Sequence, residues 1–126
     1  MPKTLRIVDF FIFCLQPYLD AQSDAIIVAI QNVITGIRST PPPPTLGENI
    51  TQIITIVKSI VAVCKDNLPP NSVQQGREYL QQLVDNSGKL NEIQAGPPDR
   101  IMKESRQVAK SSFAIANIMK NLGKMT

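Results

Sequence analysis

Few side chains in this chain could do chemistry, and their spacing withholds the pairings that chemistry needs. None of its 126 residues is histidine, which removes the commonest general base and the commonest metal ligand together. Cys14 and Cys64 lie far apart, with no C-x-x-C spacing, so neither a zinc site nor a disulfide framework is expected. Each sits in an apolar run, FFIFCL and IVAVCK, where a reduced thiol behaves as a small hydrophobe; a reducing cytoplasmic setting fits. The acids from Asp20 and Asp24 through Glu48, Asp66, Glu78, Asp85, Glu92, Asp99 and Glu104 are scattered. No two of them share an evidently apolar pocket that would tune one as a proton donor. Gly47, Gly76, Gly88, Gly96 and Gly123 never gather into a phosphate-cradling loop. The expectation is a chain that is no enzyme and uses neither metal nor cofactor.

What remains is cationic chemistry, and it is unevenly placed. From Asp99 onward Arg100, Lys103, Arg106, Lys110, Lys120 and Lys124 face two acids, a local +4 within an overall +3. The basic excess therefore lies wholly in the last segment. Aromatics make up only 5% of the chain, which with the modest total charge argues against nucleic acid as a partner.

The elements that position these cations are marked out by proline. Clusters at Pro41–Pro44, Pro69–Pro70 and Pro97–Pro98 begin 28 residues apart. Each stops a helix, because proline lacks an amide donor and disfavours α geometry in the residue before it. Between the breaks run helical stripes: Ile26, Ile30, Val33 and Ile37; Ile50, Ile53, Val57, Ile60 and Cys64; Val73, Gly76, Leu80, Leu83, Ser87 and Leu90; then Ile101, Ser105, Val108, Ser112, Ile115, Met119 and Leu122. Steps of three and four place each set on one helix face. The second segment is rich in β-branched residues, which favour strands, but it is too long and does not alternate, so helix is preferred. Asn86-Ser87-Gly88 could interrupt the third.

Apolar residues make up 43% of the chain, a globular level, and 126 residues suffice for one core. Short connections favour antiparallel neighbours. The predicted fold is all-α: an antiparallel up-down four-helix bundle over residues 17–124, with residues 1–16 as an N-terminal extension or the start of the first helix. Ile7–Leu15 is too short to span a bilayer and carries Asp9; it reads as a helix entering the bundle in preference to a signal peptide. Pro17 either ends a short helix or kinks one long first helix. The run Pro41–Pro44 could serve as a polyproline ligand but is more simply a stiff loop.

Helical geometry adds a second strip to the last helix. Met102, Ala109, Phe113 and Ala116 lie to one side of the core stripe centred on Ile115, bordered by Arg106, Lys110 and Lys120. The first helix has a matching flank in Ile27 and Ile34. One apolar face is enough for a bundle helix, so the extra strip suggests a groove for something hydrophobic and acidic. The plainer alternative is that Phe113 fills a wide core and the lysines form a solvated face near a helix C-terminus.

The stretch RQVAKSSFAIANIMKNL (Arg106–Leu122) resembles, without gaps, the closing helix of the focal-adhesion-targeting-like domain at the C-terminus of the GIT family of Arf GTPase-activating scaffolds. Gln107-Val108, the aromatic at Phe113, Ile115-Ala116, Lys120 and Leu122 carry the match, and YLQQLVDNSGKLNEIQ adds to it with small residues inside what is helix in the family. IQNVITGIRS, NITQIITIVKSIVAVCKDNLP and ESRQVAKSSFAIAN are similar to the C-terminal homology region of the fungal polarisome scaffold, the Spa family. The resemblance runs from about Pro17 to Leu122. It implies a non-catalytic docking platform, part of a larger scaffold of cell polarity or the actin cytoskeleton, that binds leucine- and acid-bearing amphipathic helices. Polarity or actin-regulatory proteins are the implied partners, and sites of polarised growth or the cell cortex the implied location. Lys120 carries over by motif position; Arg106 and Lys110 depart from the GIT pattern and rest on geometry alone. The partner-binding set expected is therefore Ile27, Ile34, Arg106, Ala109, Lys110, Phe113, Ala116 and Lys120. A weak anionic-membrane contact through the last helix, or self-association through IVDFFIFC, are the rival readings.

Overall fold

The computed structural model describes residues 7–41, 43–68, 73–97 and 99–125, with side chains from Pro17 to Lys124. The side chains of residues 7–16, Cys14 and the IVDFFIFC run among them, and Pro42, Pro69, Pro70 and Pro98 of the proline breaks lie outside the described residues. Five helices follow one another: α1 (Ile7–Arg38), α2 (Leu46–Cys64), α3 (Val73–Gln94), α4 (Arg100–Lys103) and α5 (Ser105–Met125). No strand occurs among the described residues.

The stripes read from the sequence are the buried faces. Ile26, Ile30 and Val33 of α1, all five stripe residues of α2, and Leu80, Leu83 and Leu90 of α3 are buried in one continuous cluster. From the last stripe, Ile101, Val108, Ile115, Met119 and Leu122 join them. Each such aliphatic side chain contributes roughly 1.5–3 kcal/mol by leaving water, and truncating Ile53 or Ile60 to alanine should cost about 2–5 kcal/mol. α2 is helical despite its β-branched content because its residues bury at helical spacing. Ile54 and Ile56 are buried beside the main stripe, while Thr51, Gln52, Thr55, Lys58 and Ser59 face outward. By length and composition alone α2 could cross a membrane; here its apolar face packs against its neighbours.

Close backbone contacts pair α1 with α2, α2 with α3, α3 with α5, and α5 with α1. Four long helices thus close a ring around the aliphatic core. The directions alternate where polar and steric contacts fix them. In the first half of α1 the Tyr18 side chain lies beside Ser59 and Cys64, late in α2. At the other end Gly36 lies so close to Leu46 that a Cβ there would stand 2.8 Å from its Cδ1. Gln94 at the end of α3 donates from Nε2 to the Gly47 carbonyl at 2.9 Å, and to the Thr51 hydroxyl, at the beginning of α2. Across the α2–α3 connection Leu68 covers Gly76, where a Cβ would come within 2.6 Å of it.

Three local details resolve or correct the sequence expectations. Pro17 lies inside an unbroken α1 of 32 residues. Asn86-Ser87-Gly88 lies inside α3, the polar side chains turning back to the helix: Asn86 Nδ2 donates to Gln82 O at 2.8 Å and Ser87 Oγ to Val84 O at 3.1 Å, as short polar residues do within helices. The last stripe, expected on one helix, is divided. Glu104, at φ −109° and ψ 31°, leaves the helical region and separates one-turn α4 from α5. Arg100 holds this junction, its Nε donating to Glu104 Oε2 and its Nη1 to the Glu92 carbonyl at 3.2 Å.

Candidate functional site

α1 and α5 meet along a shallow depression of about 570 Å³ lined by Ser23, Ile27, Phe113, Ala116, Asn117, Met119 and Lys120. Its residues come from Ser23 and Ile27, one turn apart on α1, and from the 113/116/117/120 register of α5, which helical geometry stacks on one face. Ile27 is 43% exposed and Phe113 53% exposed, so two large apolar groups face solvent across the same seam. Met119 is buried and forms the floor. Phe113 does not fill the core, which the plainer reading of the sequence required.

Of the eight residues expected to bind a partner, the structure brings four together here: Ile27, Phe113, Ala116 and Lys120. Ile34 is not among them. At 9% exposure it belongs to the core, because seven residues along an α-helix bring it about 20° further round from Ile27 toward the buried stripe. Ala109 is half-buried against the core. Arg106 and Lys110 are exposed but sit roughly 15–20 Å along α5 from Lys120 at 1.5 Å per residue. The three cations therefore form a line leading to the depression, with Lys120 alone on its rim. Among the described residues no ion pair engages any of them.

Sequence reasoning missed Ser23 and Asn117 as lining residues. Each stands four residues from a residue it did single out, Ile27 and Phe113, and that register was the available signal. Met119 was assigned to the core stripe alone, whereas it serves both the core and the floor.

Elsewhere the chemistry is sparse. Cys64 is fully buried, and burial pushes its thiol up to about 11, away from the thiolate that reactivity requires. Ser112 is buried with its Oγ unpartnered among the described residues, while the neighbouring Ser111 hydroxyl accepts from Gln107 Nε2 at 2.8 Å. Among the described residues no cluster of cysteine and acidic side chains could hold a metal ion. What the α1/α5 seam can do is take up an apolar surface beside a cation.

Residues 16–126 match the family described as G protein-coupled receptor kinase-interacting protein 1 C term. A search of curated proteins and one of solved structures each found no match.

Proposed function

Because the chain belongs to the family of the G protein-coupled receptor kinase-interacting protein 1 C-terminal domain, we propose that it is a non-catalytic docking module of a scaffold protein, binding amphipathic helical segments of its partners in the seam between α1 and α5. The architecture that suits this role is an antiparallel up-down four-helix bundle of the focal-adhesion-targeting type, with α4 and α5 as its fourth arm. The ring of contacts among α1, α2, α3 and α5 supports that arrangement.

One observation carries the assignment. Ile27 and Phe113 stay about half exposed on either side of a depression whose rim bears Lys120. An amphipathic helix presents leucines at three- and four-residue steps on one face, and such a face suits a depression lined by Ile27 of α1 and by Phe113 and Ala116 of α5. Acidic side chains beside those leucines would meet Lys120 first, then Lys110 and Arg106, which set orientation and encounter rate more than affinity. On this reading the chain acts in the cytoplasm, at the cell cortex or sites of polarised growth, with polarity or actin-regulatory proteins as partners.

Titration of the labelled chain with an acidic, leucine-rich helical peptide tests the site by NMR. Shifts should centre on Ile27, Phe113, Ala116 and Lys120; their absence there removes the assignment. The exposed cations of α5 favour a second reading, a weak contact with anionic lipid, worth about 1 kcal/mol per basic residue near such a surface. Flotation with anionic and neutral vesicles separates the two.

A further inference from the structure

α3 and α5 are neighbours in the ring, and the rows they turn to solvent carry opposite charge. On α3, Glu78, Asp85 and Glu92 recur every seven residues, all exposed. Each stands two residues from a buried leucine, Leu80, Leu83 or Leu90, which puts it about 200° round the helix, on the outer crest. On α5, Arg106 and Lys110 lie two residues either side of buried Val108, and Lys120 and Lys124 two residues either side of buried Leu122. All four cations are exposed, and α5 contains no acid.

The two rows match in length and in level. Glu78 and Glu92 are 14 residues apart, as are Val108 and Leu122 at the centres of the two cation pairs. Both spans are about 21 Å at 1.5 Å per residue. Gln94, Gly96, Ile101 and Met102 line one depression, so α3 finishes and the fourth arm begins at the same end of the bundle, and α5 runs back along α3. Glu92 is therefore level with Arg106 and Lys110, and Glu78 with Lys120 and Lys124. Within one copy the rows stay apart. Among the described residues no ion pair joins α3 to α5; Glu78 and Asp85 accept only from the neutral amides of Gln74 and Gln81, and Glu92 approaches Arg100 of α4 at 3.9 Å.

We propose that the α3/α5 face binds a second copy of this chain, related by a two-fold axis parallel to the bundle, so that the acidic row of each copy meets the basic row of the other. That rotation exchanges the two helices and preserves their level, so the pairing is made twice and the contact closes at two copies. Two helices side by side, about 20 Å across and 30 Å long, present roughly 600 Å² per copy, or about 1,200 Å² in all. This is the lower end for a specific interface, so the dimer is weak, reversible and governed by salt. Lys89 is the one cation near the acidic crest; it is exposed on the side away from Val84, which lines a depression against α2. There it faces the partner's basic row and opposes the contact.

The experiment is analytical ultracentrifugation of the whole chain over a concentration series, without any peptide, so its outcome is separate from that of the helix-docking reading. A monomer–dimer equilibrium should weaken at least about tenfold between about 0.02 and 0.5 M salt, as the screening length falls from about 20 Å to about 4 Å. The variant Glu78→Lys/Asp85→Lys/Glu92→Lys should be monomeric, and so should Arg106→Glu/Lys110→Glu/Lys120→Glu/Lys124→Glu, each with its helicity confirmed by far-UV circular dichroism. Mixed one to one, the two variants should form a dimer containing one of each, a rescue that misfolding cannot imitate. Lys89→Glu alone should tighten the parent dimer severalfold. A parent that stays monomeric at low salt, association indifferent to salt or to charge reversal, a mixture that stays monomeric, or masses that grow past two copies would each overturn the proposal.

Discussion

Replacing Phe113 by alanine separates binding from folding with a magnitude fixed by its exposure. A phenylalanine offers roughly 200 Å² in all, and with 53% of Phe113 open to solvent about 100 Å² is free for a partner to cover. At about 25 cal/mol per Å² this amounts to roughly 2.5 kcal/mol, or a 50- to 100-fold rise in Kd at about 1.4 kcal/mol per decade. The buried half also holds the fold, and its loss should lower stability by about 1–2 kcal/mol, under half the cost of truncating a core phenylalanine. Calorimetric titration with an acidic leucine-rich helical peptide measures the first quantity, and urea unfolding followed by far-UV circular dichroism the second. Phe113→Leu keeps most of the apolar area and should recover most of the affinity. A Phe113→Ala protein that unfolds near the original midpoint and binds within about threefold of the parent, under 1 kcal/mol, would refute the reasoning: the aromatic would then be exposed without being used.

Three further outcomes follow from particular groups. Ser112→Ala removes a buried hydroxyl with no partner and should stabilise the protein by about 1 kcal/mol, seen as a higher urea midpoint; a lower midpoint would mean the hydroxyl is satisfied. Because burial raises the Cys64 thiol from 9.0 to about 11, the unfolded chain loses this proton first, so stability from this group is intact below pH 9 and is lost as pH rises toward 11. The loss approaches about 2–3 kcal/mol at 1.36 kcal/mol per unit, measured as the difference in pH dependence between the parent and Cys64→Ala. Lys120→Glu should slow peptide association severalfold at low salt and leave dissociation nearly unchanged, the effect fading as salt screens the charge; stopped-flow fluorescence at two ionic strengths decides it.

The fold was legible wherever one face of a helix is buried and the other wet. Ile50, Ile53, Val57, Ile60 and Cys64 announced α2 by spacing alone, and all five are buried. The division at Glu104 was not legible, because Ile101 and Ser105 keep step with the stripe on either side of it and nothing in their types signals a change in backbone direction. The candidate site was half legible. Ile27, Phe113, Ala116 and Lys120 share a depression, but Ile34 was misplaced because about 20° of helical rotation separates a groove residue from a core residue, finer than periodicity resolves. A depression between α2 and α3, lined by Lys58, Val61 and Val84, was missed altogether. Val84 lies outside the α3 stripe, and its meaning depends on Val61 and Lys58 of another helix, a relation that no single-helix pattern contains.

The β-branched wall that α2 contributes to the interior has a consequence for recognition. Isoleucine and valine in a helix are held close to a single χ1 state, so Ile53, Val57 and Ile60 have little rotational freedom left to surrender when a ligand arrives. A platform built this way is stiff before contact, and the entropy lost on association falls on the incoming peptide. Partners should then differ mainly in how far their own helices are formed in isolation, and a ligand stapled into helical form should gain affinity in proportion to the disorder it gives up, with the receptor unchanged.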